Sequence, residues 1–485
     1  MSEQSTTEEH VQETVTPAAQ PSTVAPTQDD PFVAGSSERI GGPLTRRWLP
    51  HSEAPIGWWN PIRALIAIGA VTYLIGIFQK VPCIASSWAS PDRYLTMCYS
   101  DIPPLYALRG FSSGVFPYIS DPLPGQEQLE YPVLTGMFMQ IGSWLTPVFG
   151  NGGQGFFTAN VIMLFVCFVV AIVATAKTVP TRPWDAALLA AAPCVALNAT
   201  INWDMLAIAL TAVAILLWAR RNPVAAGIFL GLAAAAKFYP FLLFGPILVV
   251  CWRTKNMKAF WQSLAGGIGA WLVINIPFML INFEGWFTFY SFSSERGQDF
   301  GSVWMMLSTI GIKIPADALN ILAMGLFLVL CLGIAILGLK APKTPRLAQL
   351  AFLVLAAFIL TNKIYSPQFV LWLIPLAALA RPRWRDFLIW QAGEVFYFAS
   401  IWLYLAFVEG AKGFNGQWYA VGIFVHLAAT TYFCIMIVRD ILNPEHDPKK
   451  ATDASEAATG SGPEGAEESA KLEEAALREE LTYRV

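Results

Sequence analysis

Charge is what this sequence is shortest of. Only 13% of its 485 residues are Asp, Glu, Lys or Arg, against 55% apolar, about half the charge of an ordinary soluble domain. Histidine is scarcer still, with four copies at positions 10, 51, 426 and 446. They are too scattered for a Cys/His zinc spacing, so no metal site is expected, and no loop histidine is placed for a Ser/His/Asp arrangement. Of the seven cysteines, Cys167, Cys194, Cys251, Cys331 and Cys434 fall in apolar runs and read as packing residues. The N-terminus lacks the basic and apolar regions of a cleaved signal. A net charge of −3 gives no basis for nucleic-acid binding.

What the sequence has instead is long apolar runs. Residues 61–79, 156–176, 259–282, 317–339, 386–408 and 416–438 are each about long enough to cross a hydrocarbon layer of ~30 Å. Shorter runs at 132–148, 184–197, 203–219, 223–236, 238–252, 346–361 and 367–380 pair into hairpins with polar tips. Such tips are tolerated at membrane depth only inside protein or beside a wet cavity. The expected fold is all-α, a polytopic transmembrane bundle of about 11–13 membrane helices with a large first outer loop. Residues 1–45 read as a disordered N-terminal tail, 46–442 as the membrane domain, and 443–485 as an acidic, solvated tail in which Glu464–Leu481 is a weak helix candidate.

Lys and Arg set the expected orientation. Arg46–Arg47, Lys177/Arg182, Arg220–Arg221, Arg253/Lys255/Lys258, Lys340/Lys343/Arg346, Arg381/Arg383/Arg385 and Arg439 all sit at span ends. Placing them in the cytoplasm puts both tails there and leaves 80–131, 198–204, 237, 283–302, 362–368 and 409–415 facing outward. One segment resists this scheme. If 132–148 crosses the membrane, everything downstream inverts; if it is interfacial or re-entrant, Lys177 and Arg182 obey the rule.

The polar residues collect on the outer side. The loop 80–131 carries Tyr99-Ser-Asp101-Ile-Pro-Pro, Arg109 and Glu130-Tyr131-Pro132. Asp101 is a catalytic candidate, with a helix cap or a surface charge as the plainer alternative. Cys83 and Cys98 lie in the same loop, either as free thiols or as a disulfide that would hold Asp101 in place. Asn202-Trp203-Asp204 forms a hairpin tip, where Asp204 could equally cap the next helix. Lys237 lies only about 15 residues from Arg220–Arg221, which is too few for a crossing. An intramembrane cation is costly unless paired or wet, so Lys237 reads as an anion-binding residue or half of a salt bridge. Glu295, Arg296 and Asp299 read as an internal ion network or a phosphate contact. Asn362-Lys363-Ile-Tyr-Ser-Pro-Gln368 is another tip, where Lys363 either snorkels or binds an anion. Glu394, at membrane depth, is expected to pair with a cation of a neighbouring helix.

These pieces, in this order, resemble the GT-C class of polyprenyl-phosphate-sugar-dependent glycosyltransferases, and within it glycosyltransferase family 87, the actinobacterial membrane α-mannosyltransferases. The strings that carry the likeness are Tyr99-Ser-Asp101-Ile, Glu130-Tyr-Pro-Val-Leu-Thr135, Asn202-Trp-Asp204, Gly231-Leu-Ala-Ala-Ala-Ala-Lys237-Phe-Tyr239-Pro240 and Asn362-Lys363-Ile-Tyr-Ser366-Pro-Gln368. The resemblance implies a cell-membrane enzyme with its cavity on the non-cytoplasmic side. It implies Asp101 as general base and a lipid-linked sugar, mannose by family, as donor to an envelope glycolipid or glycan. The reaction would invert the anomeric centre and need no cofactor or metal. An arabinofuranosyltransferase of the same fold and a lipid-linked-sugar flippase or transporter are the competing expectations. A structural scaffold ranks below both, because it leaves Lys237 and Glu394 unexplained.

Overall fold

A computed structural model describes residues 24–41, 60–449 and 476–485. The Arg46–Arg47 pair, His10 and His51 lie outside the described residues, as does most of both tails. Every regular element among the described residues is a helix.

Helix α1 (Pro31–Gly41) precedes the bundle. Then follow α2 (Pro61–Ala85), the short α3 (Ile102–Leu108), α4 (Val133–Phe149) and α5 (Gly152–Thr178). A broken ascent through α6 (Pro193–Asn198) leads to α7 (Asp204–Ala219) and α8 (Pro223–Ala236). Next come α9 (Phe244–Arg253), α10 (Met257–Ile281), α11 (Phe283–Glu295) and α12 (Ala316–Lys340). The chain closes with α13 (Leu347–Thr361), α14 (Val370–Ala380), α15 (Trp384–Val408) and α16 (Gly416–Leu442). Six of these helices are long and apolar enough to cross a membrane, and six more apolar helices among the described residues are shorter. Asparagine starts many of them. Asn60, Asn222, Asn256, Asn282 and Asn415 each accept the backbone N–H three residues on, supplying one of the acceptors that a helix start lacks.

The ambiguous segment 132–148 begins and ends at one end of the bundle. Tyr73 of α2 donates to the Val161 carbonyl of α5 at 2.8 Å, and Gly69 packs against Phe168 and Ile172. Past the end of α2, Trp88 meets Phe157 at 4.9 Å, near the start of α5. The two helices therefore run antiparallel, and the chain leaves α2 and enters α5 at the same end of the bundle. Helix α4 starts and finishes on that side: Thr135 donates to the Ala236 carbonyl, and Gly153, just beyond its other end, abuts Pro103.

The basic clusters gather at the opposite end. Arg182 pairs with Asp29 and Asp185, Arg346 with Asp447, and Arg381 with Asp386 and Asp440. Two tail expectations change here. Residues 26–41, read as disordered, are helical, because Asp29 and Asp30 find partners in Arg182 and in the Trp384 backbone N–H. The last ten residues, read as solvated, dock on the bundle: Trp218 donates to the Thr482 carbonyl, Leu347 N–H to that of Arg484, and Tyr483 and Val485 are buried.

One seam fixes the position of Lys237. Helices α8 and α10 meet where Gly227 and Gly231 face Ser263 and Gly267; a Cβ on Gly231 would lie 2.1 Å from the Gly267 carbonyl oxygen. Small residues four apart allow this backbone approach between membrane helices. Gly231→Val should force the helices apart and cost about 2 kcal/mol or more, as overpacking does. It is expected to melt several degrees below wild type in detergent. The control is Gly269→Val, on the partner helix α10 but facing open space. Equal melting of the two variants would refute the seam's role.

Candidate active site

The end opposite the basic clusters holds the residues with chemical potential. Residues 97–101 form a short non-helical passage gripped on two sides. On one side, the last turns of α2 hold it: Gln79 donates to the Met97 carbonyl, Lys80 Nζ to the Tyr99 carbonyl at 3.0 Å, and Cys83 is disulfide-bonded to Cys98. On the other, Ser100 Oγ donates to the Thr200 carbonyl at 2.7 Å and Asp101 N–H to that of Ile201 at 2.9 Å. Residue 101 is left with little freedom.

Its carboxylate is oriented by two donors. Tyr99 OH lies 2.7 Å from Oδ1, and Asn202 Nδ2 lies 2.9 Å from Oδ2. The same Asn202 amide donates to Tyr131 OH at 2.6 Å, while its own oxygen accepts the Trp203 N–H at 2.7 Å. Burial raises the Asp101 pKa above the ordinary carboxylate range. The Tyr99 and Asn202 hydrogen bonds and the Lys237 charge oppose that rise, and Asp204 adds to it. The Asp101 charge, with burial, keeps the Tyr99 phenol protonated far above its usual range. Tyr99 is therefore a fixed donor.

Lys237 stands beside this group. Helix α8 stops there because residue 237 is extended, heading into Phe238-Tyr239-Pro240, and Thr135 takes up the freed Ala236 carbonyl. The ammonium lies 3.4 Å from Asp204 Oδ2 and 5.5 Å from the centre of the Tyr131 ring, within cation–π range. Asp204 is buried and takes a 2.6 Å hydrogen bond from Trp372 Nε1 on Oδ1; Tyr239 stacks on Trp372 at 4.5 Å. At 3.4 Å with one oxygen, the Lys237 pair is looser than a bidentate bridge, which leaves the ammonium donors for another anion.

The other expected residues lie apart from this cluster. Arg109 is bidentate to Glu130 at 2.6 and 2.8 Å and pairs with Glu127 at 2.8 Å, so its guanidinium is already engaged. Arg296 pairs with Asp299, and Glu295, beside it at the end of α11, is exposed. Lys363 donates to the Ser294 carbonyl at 3.0 Å and Asn320 Oδ1 at 2.9 Å, and burial and Arg296 hold its pKa below the usual lysine range. Asn362 caps its own turn by donating to the Ile364 carbonyl. Gln368 is buried, its Oε1 without a protein donor. Glu394 finds hydroxyls as well as a ring: Tyr365 OH at 2.7 Å, Thr430 Oγ1 at 2.8 Å, and His426 Nδ1 at 3.7 Å. His426 Nε2 lies 3.0 Å from the Gly301 carbonyl. That buried group thus pins the 296–302 and 362–366 loops to each other and to the bundle.

Sequence reasoning missed Lys80, Tyr99 and Trp372 as parts of the main cluster. The signal for Lys80 was a cation one turn before a cysteine at a span end, which also suits a snorkelling residue. Among the described residues no three His, Cys, Asp or Glu side chains are grouped for a metal ion.

The fold is that of a polytopic membrane helix bundle, and about half of the chain resembles a family of glycosyltransferases. Residues 129–361 match Glycosyltransferase family 87. That segment includes Tyr131, Asn202, Asp204 and Lys237 and stops short of both Asp101 and Lys363. No curated protein matches the sequence. Among solved structures, ArnT from Cupriavidus metallidurans bound to undecaprenyl phosphate is similar, at 16% identity and a TM-score of 0.43, with 80% of this chain and 78% of that one covered. So is the Archaeoglobus fulgidus oligosaccharyltransferase tethered to an acceptor peptide, at 14% identity and a TM-score of 0.36; 83% of this chain covers 60% of it. The archaeal oligosaccharyltransferase AglB with an inhibitory peptide and dolichol-phosphate follows at 12% identity and 0.34, with 87% of this chain covering 55% of that one.

Proposed function

We propose that the protein transfers a sugar, mannose by family resemblance, from a polyprenyl monophosphate to a glycolipid or glycan acceptor on the non-cytoplasmic face of the cell membrane, with both tails in the cytoplasm. The observation that carries this reading is one constellation: a carboxylate held by Tyr99 and Asn202, with a cation next to it over the Tyr131 ring. Asp101 takes the proton of an acceptor hydroxyl as that oxygen attacks the anomeric carbon. The bond from the anomeric carbon to the phosphate oxygen breaks on the opposite face, so the configuration inverts. Polyprenyl phosphate departs with its electron pair, and Lys237 stabilises the growing charge from a low-dielectric wall. A monophosphate leaving group brings little charge, and the reading calls on no metal or cofactor. Arg296 is engaged by Asp299, and Lys363 by the Ser294 carbonyl and Asn320, so this reading does not call on them.

The test is transfer by purified protein in nanodiscs from polyprenyl-phosphate mannose and, in parallel, polyprenyl-phosphate arabinofuranose. A mannosylated product of inverted configuration is expected. Arabinose transfer alone would replace the donor assignment. Movement of intact donor between leaflets without transfer would replace the enzyme by a flippase.

A further inference from the structure

Lys80 is wholly buried near the end of α2, where its ammonium meets the Tyr99 carbonyl at 3.0 Å. Burying a lysine costs several kcal/mol unless a negative charge or several acceptors compensate. Tethering the 97–99 passage does not require that expense. Gln79, one residue earlier, holds the Met97 carbonyl with a neutral amide, and the Cys83–Cys98 disulfide holds the residue between. A charge at position 80 therefore needs another object, and the acid two residues beyond its acceptor is Asp101, with which Lys80 interacts electrostatically. The passage then reads as a relay: Lys80 to the Tyr99 carbonyl, Tyr99 OH to Asp101 Oδ1.

We propose that Lys80 is a positioning residue for Asp101, holding the backbone of Tyr99, whose phenol orients the carboxylate, and placing an ammonium group behind it. The proposal rests on the reading of Asp101 as general base. The charged and titratable groups around the carboxylate are Lys80 from α2, Tyr99 and Arg93 from the first loop, Glu130 and Tyr131 before α4, Asp204 from α7 and Lys237 from the end of α8. Arg93 sits 5.5 Å from the centre of the Tyr99 ring. Lys237 is partly exposed, as a substrate contact must be, whereas Lys80 is wholly buried. The two cations thus divide the work: one meets the leaving group, the other holds the base.

The test uses the full chain in nanodiscs, with Lys80→Met, which removes charge and hydrogen bond, and Lys80→Gln, which keeps a neutral donor. Both relieve a burial cost, so both should fold. The double variant Cys83→Ser/Cys98→Ser loosens the same passage without touching charge. For Lys80→Met, kcat is expected to fall about 10- to 100-fold, with KM for the donor within about twofold. The acid limb of its pH–rate profile should move up by about one unit, because removing a nearby cation favours the protonated carboxyl. Lys80→Gln should show the same limb shift, and Lys80→Arg should return the limb toward wild type. The disulfide-less variant should lose rate with its limb in place. A Lys80→Met enzyme with wild-type rate and limb, or one slowed with an unmoved limb, overturns the proposal. If Asp101→Asn is also inactive in that case, only the Lys80 inference fails; if Asp101→Asn is active, the base assignment falls with it.

Discussion

Asp101→Asn is expected to lower glycosyl transfer by about 10³-fold or more while the protein stays folded in the membrane. A positioned general base contributes about 10² to 10⁴ in rate, and an amide has no basic oxygen to take its place. The substitution is nearly isosteric. Tyr99 OH can still donate to the amide oxygen, but the new NH₂ would face the Asn202 NH₂, whose own oxygen is committed to the Trp203 N–H. One lost hydrogen bond costs about 1 kcal/mol, too little to unfold a bundle of this size. The measurement is initial transfer rate beside a melting curve. A variant within threefold of wild type would remove Asp101 from the chemistry. The wild-type profile carries a second mark: burial raises the Asp101 pKa, and the base works only when ionised. Activity should therefore fall with decreasing pH through a limb above the ordinary aspartate value of about 3.9.

Lys237→Met should cost about 10²- to 10³-fold in kcat, the scale seen when one preorganised stabiliser of developing charge is removed. Its effect on folding must be separated first. Without the ammonium, Asp204 becomes a buried carboxylate held by Trp372 alone, and an orphaned partner of a buried pair can destabilise by about 3–5 kcal/mol. The double variant Lys237→Met/Asp204→Asn removes that penalty. It should recover the melting temperature while transfer stays low. Recovery of both would make the pair a structural bridge; recovery of neither would give Asp204 a role of its own. Because Lys237 also holds down the Asp101 pKa, the acid limb should rise in Lys237→Met, and in the double variant the loss of the Asp204 charge works against that rise.

The two variants probe residues that sequence reasoning could reach, for a definable reason. Asp101, Asn202 and Lys237 are polar residues in apolar or aromatic surroundings, and burial cost alone marks such residues whatever the fold. Partners are another matter. Arg109, Arg296 and Lys363 carry the same residue-level signal as Lys237, yet acids or carbonyls already engage them. Nothing in a single sequence tells an engaged guanidinium from an available one when the partner is set by packing. Lys80 shows the converse: its neighbours in the chain are those of a snorkelling lysine, and its role rests on a passage that folds back 19 residues later. The α4 ambiguity had the same root. Seventeen residues suit a tilted crossing or a return, and only the antiparallel contact of α2 with α5 decides between them. The docked C-terminus was misread because a charged sequence conceals a buried Tyr483 and Val485 at its very end.

Helix α8 has 14 residues, a rise of about 21 Å, against a hydrocarbon layer of about 30 Å. It starts next to the arginine pair at the basic end, and with that start at one boundary of the layer Lys237 would stop roughly 9 Å short of the other. A phosphate drawn to that ammonium must sink beneath the plane of the surrounding head groups, carrying its first isoprene units with it. Lipid packing resists such a descent less where the membrane is thin. On the proposed reading, turnover is then expected to depend on host-bilayer thickness, through the length of a single helix.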